Sequence, residues 1–255
     1  MYLSNAKNNW IDPLVETELK NISNLTEYNV QNLFPDIYSA VSAIYLEFPY
    51  ETKAFLGHTK LDQLGLSVTI NKNIADPARK LFTQAHELGH TVMHNELLKS
   101  MNFDFDNDIS NKTLKKVEQE ANWFAANLIL PVQVAYSHIL EKHTVKQIRF
   151  FSGLSVQSTL FRLDSILKKV YWFNDEDLIK KIIDQYSSCK HSYEVQLSKI
   201  YEIFSQGYKL PHKDSYNAIL KIQNDSNLLE KLRQNIKLED SISNCSFNNF
   251  HQTIF

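Results

Sequence analysis

The alternation of apolar and polar residues predicts one clear strand in a chain that is otherwise helical. Side chains change between apolar and polar at every step over residues 66–71, in the order Leu66, Ser67, Val68, Thr69, Ile70, Asn71. A period of two is typical of a strand with one buried face. Earlier in the chain, residues 36–48 form an amphipathic stretch with apolar residues at helical spacing, namely Ile37, Ala40, Val41 and Ile44. This spacing predicts a helix before the strand.

Capping residues and prolines mark the ends of two stronger helices. Asp76 is a suitable N-cap and Pro77 suits the first helical position, so a helix is predicted to begin there and carry RKLFTQAHELGHTVMHN, residues 79–95. After a polar loop, residues 113–130 form the second predicted helix, which Pro131 stops. Beyond it, the pattern predicts short helices broken at SGLS, residues 152–155, and then weakly patterned helix. These elements predict an α+β fold that is mainly helical, with a small antiparallel or mixed sheet.

Composition and charge narrow the class of protein. A chain of 255 residues, 43% of them hydrophobic, is long enough to bury a real core. Its net charge of -2 gives no overall basic field of the kind that marks nucleic-acid-binding proteins. No apolar run approaches the roughly 20 residues that span a bilayer, and the start lacks the basic segment and apolar run of a secretion signal. We therefore expect a cytoplasmic protein with no membrane segment, whose Cys189 and Cys245 are free thiols.

The first predicted helix carries a pattern typical of zinc binding. His86 and His90 are four residues apart, so they project from the same helix face about 6 Å apart, within reach of one metal ion. Glu87 lies one step round the helix, where it can polarise a water molecule without being a ligand. The alternative is an amphipathic helix whose histidines are ordinary core or surface residues. The second helix favours the metal site.

That second helix supplies a candidate third ligand. Its predicted buried stripe consists of Leu114, Val117, Ala121, Ala125 and Leu128. Glu118 lies within this stripe, where a carboxylate is costly unless it is paired or bound to a metal. Glu120 points to the other side, near Lys116, and is held as the alternative ligand.

Two further polar residues fall beside the predicted ligands. Asn122 lies on the same helix face as Glu118 and is placed to hydrogen-bond a liganding histidine and fix its tautomer. His94 lies four residues beyond His90, but a straight helix puts it about 12 Å from His86 along the axis, too far for both to hold one ion. We predict that Asn122 and His94 support the ligands from outside the metal's coordination shell.

Three protein ligands leave a fourth zinc position for water, which is typical of catalytic zinc. In such a site Zn²⁺ lowers the pKa of the water and Glu87 takes its proton, so the chemistry that fits is peptide hydrolysis. The strand at residues 66–71 is predicted to hold an extended peptide along a free edge. Three residues soon after the second helix are candidates for stabilising the oxyanion, and their spacing does not choose among Tyr136, His138 and His143.

Three stretches of the sequence together resemble the ImmA/IrrE family of zinc metallopeptidases. They are LSVTINKN, ARKLFTQAHELGHTVMH and EQEANWFAANLILP, which agree with the family in order and spacing over about residues 55–132. The resemblance implies a thermolysin-like zincin fold with LSVTINKN as the edge strand, His86, His90 and Glu118 as zinc ligands and Glu87 as the catalytic base. It also implies a helix-turn-helix repressor, encoded nearby, as the protein substrate.

The expected organisation is a metallopeptidase domain at residues 1–132, a helix-turn-helix-like region at 133–172 and a helical C-terminal region of unknown role at 173–255. The middle region is locally basic through Lys142, Lys146, Arg149, Arg162, Lys168 and Lys169. The alternative function is therefore a regulatory protein that binds DNA or a repressor without cutting it, DNA contact being the less favoured. A third possibility is a structural zinc whose fourth position is closed by another residue, such as His251.

Overall fold

The computed structural model describes residues 11–52, 54–94, 97–98, 111–170 and 173–205, with the side chains of 11–13 and 111–113 excepted. The chain divides into two compact units, Met1–Tyr201 and Glu202–Phe255. All of the features described below belong to the first unit, apart from the end of the last helix. The described residues include only the ends of the polar loop predicted at residues 98–112. They include neither Cys245 nor His251. About two thirds of the described residues are helical, and the small sheet that they form is mixed, as the sequence predicts.

The sheet has three strands: β1 (Ala43–Phe48), β2 (Gly57–Asp62) and β3 (Gly65–Asn71). Their order is β1-β3-β2, with β3 parallel to β1 and antiparallel to β2. The strand predicted at residues 66–71 is therefore present, but the prediction that it is an edge strand with a free edge was wrong. Both of its sides are paired. β1 lies on one side, and on the other lies β2, which a tight turn at Gly65 (φ 112°) folds back against β3.

The predicted helix at residues 36–48 is only half correct. Helix α2 (Phe34–Ala40) ends where the chain turns, and Ser42 adopts a left-handed φ of 54°. Ile44, which continues the helical spacing, lies in β1 and pairs with β3. Before α2 come helix α1 (Ile11–Asn21) and two short 3-10 helices, Leu25–Glu27 and Val30–Asn32.

Of the two helices that carry the metal-site motif, the first packs on the sheet and the second packs on the first. Helix α3 (Pro77–Met93) begins as predicted, with the Asp76 side chain accepting a hydrogen bond from the backbone nitrogen of Ala78 at 3.0 Å. Helix α4 (Asn111–Ile129) ends just before Pro131. The apolar side chains of β3, Leu66, Val68 and Ile70, are buried, and β3 is in contact with α3.

Helices α3 and α4 approach closely at Gly89. A Cβ atom added to Gly89 would lie 3.1 Å from Cδ1 of Phe124 and 3.3 Å from both the Cα and the carbonyl oxygen of Ala121. The last two atoms belong to the backbone of α4, so they can give way only if the helix moves. Gly89 and Ala121 are both fully buried small residues that allow the two backbones to come together.

The remaining chain is helical, as predicted, through Ser205. The helices are α5 (Val132–Leu140), α6 (Val145–Ser152), α7 (Val156–Lys169), α8 (Glu176–Ser188), α9 (Ser192–Gln196) and α10 (Lys199–Ser205). Helix α6 starts with a capping box between Thr144 and Gln147 and ends at Gly153, whose φ of 73° is left-handed. The domain boundaries at residues 132 and 172 stay a prediction.

Among the described residues, no single helix is long and apolar enough to cross a membrane. Among these residues, two successive helices, Leu114–Ile129 and Val132–Leu140, are long and apolar enough only when taken together, and they meet at a 50° bend.

The contact at Gly89 generates a stability prediction. We expect Gly89→Val to destabilise the protein by about 2 kcal/mol, because overpacking a tight interface typically costs 1–3 kcal/mol. Urea unfolding monitored by circular dichroism measures this change. The control Arg79→Val places the same side chain at an exposed position of α3 and should cost only about 0.5 kcal/mol of helix propensity. Equal effects of the two substitutions would contradict the close helix contact.

Candidate metal centre

Three side chains from α3 and α4 converge at one point. The Nε2 atoms of His86 and His90 are 3.0 Å apart. The Glu118 carboxylate lies against both, with Oε2 3.2 Å from Nε2 of His86 and Oε1 3.4 Å from Nε2 of His90. The potential ligand atoms of these three residues all lie within 4.8 Å of one another. Two imidazole nitrogens and one carboxylate are a ligand set that suits Zn²⁺.

The charges at this point are complementary. Hydrogen bonds from the rings of His86 and His90 hold the pKa of Glu118 well below its usual range, although partial burial opposes them. Burial lowers the pKa of His86, but the hydrogen bond to Glu118 and the negative charges of Glu87 and Glu118 outweigh it, so its pKa is raised overall. The site therefore favours positive charge between these atoms, which protons or a divalent cation can supply.

His86 is oriented by the second helix. Its Nδ1 atom lies 3.0 Å from Oδ1 of Asn122. Because an amide oxygen only accepts, this contact requires a proton on Nδ1. In the neutral ring Nε2 is then the unprotonated nitrogen, which can bind a metal in place of the proton that a charged ring donates to Glu118. The structure thus brings Asn122 to the position that the sequence predicts for it.

The structure separates the two candidate glutamates. Glu118 faces the histidine pair, whereas Oε2 of Glu120 lies 3.0 Å from Nε2 of His94 and its Oε1 lies 3.7 Å from Nζ of Lys116. His94 is buried, and its Nδ1 atom lies 3.1 Å from Nδ1 of His90. Burial lowers the pKa of His94 even though Glu120 is adjacent. His94 is therefore a neighbour of His90 and is not part of the group formed with Glu118.

Glu87 is held by a strand that the sequence patterns do not predict. The Thr59 hydroxyl on β2 lies 2.7 Å from Oε2 of Glu87 and 3.0 Å from its backbone oxygen. Gly57, on the same strand, leaves room for the carboxylate: a Cβ added there would lie 3.0 Å from Cγ of Glu87 and 2.9 Å from Cγ2 of Thr83. Strand β2 reads GHTKLD, which lacks a clear alternation, so no local signal indicates that Thr59 and Gly57 meet Glu87.

The three oxyanion candidates lie in or just after α5, and the structure assigns none of them that role. Nδ1 of His138 is 2.9 Å from Nδ1 of His143, and the ring of Phe151 stacks on both. Burial and the adjacent His143 lower the pKa of His138 to about 3. Tyr136 is buried, which raises its pKa to about 12. Among the described residues, the group of potential metal ligands contains only His86, His90 and Glu118.

The basic segment at residues 142–169 offers fewer free charges than its sequence indicates. Arg162 is only 1% exposed, and its Nε donates to the backbone oxygen of Leu130 at 2.9 Å. Lys168 forms ion pairs with Asp164 at 3.1 Å and Glu176 at 2.7 Å. Instead, large aromatic side chains are exposed on α6 and α7, with Phe150 82% and Phe161 61% accessible. This surface is less suited to DNA than the sequence indicates.

Comparison with known proteins agrees with the geometry. Residues 40–164 match the model of the Peptidase_M78 family, described as the IrrE N-terminal-like domain. The chain is also similar to a protein of Bacillus phage phi105 named "Uncharacterized immunity region protein 2", at 29% identity over 102 residues. That match covers 40% of this chain and 61% of the phage protein.

The contact between Thr59 and Glu87 predicts a specific loss of stability. We expect Thr59→Val, which removes the hydroxyl at nearly constant shape, to destabilise the zinc-free protein by about 1–3 kcal/mol, because a buried carboxylate loses a hydrogen bond. Thr59→Ser keeps the hydroxyl and should be the more stable of the two variants. Chemical unfolding in the presence of a chelator measures both, and a valine variant as stable as the serine variant would contradict this role.

The adjacent, partly buried rings of His138 and His143 predict that the protein loses stability in acid. His138 has a folded pKa of about 3, below the value of about 6.5 in an unfolded chain, so the unfolded state binds the proton first as the pH falls. Stability should therefore be lost as the pH drops from about 6.5 towards about 3, with a slope of up to about 1.4 kcal/mol per pH unit from this residue. His138→Leu should flatten the slope of unfolding free energy against pH. His58→Gln, which removes an exposed imidazole, should retain it.

Proposed function

Because residues 40–164 carry the IrrE N-terminal-like domain of the Peptidase_M78 family, we propose that this protein is a zinc-dependent endopeptidase. The observation that carries the proposal is the convergence of His86, His90 and Glu118, with Glu87 next to the first histidine on the same helix. In this proposal the three converging residues are the zinc ligands and Glu87 is the catalytic base.

The residues present fit a zinc ion and divide the chemistry among them. The neutral imidazoles of His86 and His90 and the carboxylate of Glu118 would hold the ion, a ligand set that is typical of catalytic zinc. When bound, Zn²⁺ supplies the Lewis acidity that activates water and polarises the substrate carbonyl. The Glu87 carboxylate accepts the proton of the attacking water and delivers it to the leaving amine nitrogen as the peptide bond breaks. Thr59 orients that carboxylate through its hydroxyl.

Strand β2 is the proposed platform for the substrate backbone. It pairs with β3 on one side, and no other strand among the described residues pairs with its opposite side. Because Thr59 of β2 contacts Glu87, an extended peptide added to this free edge runs beside the catalytic base. This replaces the expectation that β3 holds the peptide.

The proposed substrate is a helix-turn-helix transcriptional repressor whose cleavage relieves repression of a mobile element or a stress response. Two observations support it: the family match, and the similarity to a phage protein named for an immunity region. A repressor substrate also implies action in the cytoplasm.

The alternative is a regulatory protein that binds a partner without cutting it. The exposed Phe150 and Phe161 favour a protein partner over DNA for such a role. The two functions differ in whether they need the Glu87 carboxylate, so one substitution separates them.

Cleavage of a candidate repressor tests the proposal. The zinc-loaded protein is incubated with helix-turn-helix repressors encoded beside its gene, and products are identified by mass spectrometry. We expect cleavage of one repressor at a defined bond, and we expect Glu87→Gln to lower the rate at least about 100-fold while zinc and fold are retained, since a general base contributes 10²–10⁴-fold. Full function of Glu87→Gln in derepression would contradict the peptidase proposal and favour binding alone.

A further inference from the structure

The second ring nitrogen of His90 leads into a chain of polar groups that the proposed peptide hydrolysis does not use. Nδ1 of His90 lies 3.1 Å from Nδ1 of His94, Nε2 of His94 lies 3.0 Å from Oε2 of Glu120, and Lys116 lies beside the other carboxylate oxygen. We propose that His94 and Glu120 are positioning residues, a brace that fixes the orientation and tautomer of His90 for metal binding. This inference rests on the proposed metal site.

The order of hydrogen-bond donors and acceptors along the brace follows from which ring nitrogen of His90 faces the metal site. His90 presents Nε2 to Glu118 and to Nε2 of His86, so a metal held at this point uses that nitrogen. A neutral imidazole that binds through Nε2 carries its proton on Nδ1 and must donate it. Nδ1 of His94 is then the acceptor.

The same logic fixes the tautomer of His94. Because its Nδ1 accepts, its proton is on Nε2, which faces the Glu120 carboxylate. The carboxylate accepts this hydrogen bond and completes the chain. Every contact from His90 to Glu120 then has one donor and one acceptor, and no link needs a protonated, positively charged histidine.

The surrounding packing restricts the orientation of His94, the middle residue of the chain from His90 to Glu120. His94 is 6% exposed and follows the last residue of α3, where its backbone nitrogen donates to the backbone oxygen of His90 at 3.0 Å. Glu120 approaches from α4, so the brace also joins the two helices that supply the ligands. Lys116 is largely exposed and 3.7 Å away, so its ion pair adds little.

The two histidine ligands are thus braced in different ways. His86 donates to a neutral amide, that of Asn122, whereas His90 is linked to a carboxylate through a second imidazole. A carboxylate at the end of the chain raises the basicity of the liganding nitrogen, and such outer contacts typically contribute 10–100-fold to metal affinity. Glu120, which the sequence leaves open as a ligand, has in this account a separate role.

Competition with a chromophoric chelator measures the zinc dissociation constant of each variant. We expect His94→Leu to weaken zinc binding about 10–100-fold, since it removes both contacts of the middle ring. Glu120→Gln keeps an acceptor for His94 but removes the charge, so it should weaken binding by a smaller factor, roughly 3–10-fold. Gln119→Ala, at the exposed neighbouring position of α4, is the matched control and should leave the constant unchanged.

A second readout tests the tautomers directly. Nitrogen NMR of the zinc-loaded protein, with couplings from ring protons to imidazole nitrogens, should show His94 neutral with its proton on Nε2. It should show His90 with its proton on Nδ1. A proton on Nδ1 of His94 would overturn the brace, because that nitrogen could not then accept from His90.

The outcomes separate the brace from the metal site itself. One outcome would overturn the brace and leave the metal site intact: His94→Leu and Glu120→Gln both bind zinc within about twofold of wild type, whereas His86→Ala does not bind zinc. A folded wild-type protein that binds no zinc would overturn both. Circular dichroism of each variant in chelator checks folding, and if His94→Leu does not fold, Glu120→Gln decides because it preserves the shape of the side chain.

Discussion

The close approach of α3 and α4 at Gly89 and Ala121 is the constraint on which the site depends. His86 and His90 flank Gly89 at the same offsets, three before and one after, at which Glu118 and Asn122 flank Ala121. When the two small residues meet, the histidines therefore face the glutamate and the asparagine. Distances of 3.2 and 3.4 Å from Glu118 to the two rings follow from this backbone contact. A larger residue at either position would separate the ligands.

The sheet serves a different part of the chemistry. The helix pair assembles the ligands, whereas β2 reaches Glu87 from the other side through Thr59 and leaves space for it at Gly57. The proposed catalytic base is consequently held by a contact from the sheet, whereas the ligands meet through contacts between α3 and α4. This separation allows the metal-binding and proton-transfer roles to be disturbed independently by substitution, as expected where a catalytic group must stay outside the metal's coordination shell.

The parts of the site that the sequence predicts are those with local causes. Four-residue spacing places His86 and His90 on one helix face, and the helical wheel places Glu118 on the face of α4 that is turned towards them. The burial argument for Glu118 was wrong, because its side chain is 45% exposed and that of Glu120 is 38% exposed. Capping by Asp76 and termination before Pro131 are also local, and both are confirmed. These signals need no knowledge of the sheet.

The parts that it misses depend on long-range pairing. Strand order is not encoded in the alternation of residues 66–71, so the central strand β3 was mistaken for an edge. Helical spacing carried the predicted helix through Ile44, because β1 forms only when β3 is available as a partner. For the same reason the contact between Thr59 and Glu87, separated by 28 residues, has no local signature. Arg162 counts as a surface charge in the sequence, yet a tertiary contact with Leu130 buries it.

The metal content of the purified protein tests the central claim most directly. Elemental analysis of zinc-supplemented wild type, His86→Ala and Glu118→Ala should give about one zinc per wild-type chain and much less in both variants, as a three-residue ligand set requires. A folded wild-type protein without zinc would contradict the account and reduce the motif to a helix with histidines. Undiminished zinc in Glu118→Ala would contradict the assigned ligand set.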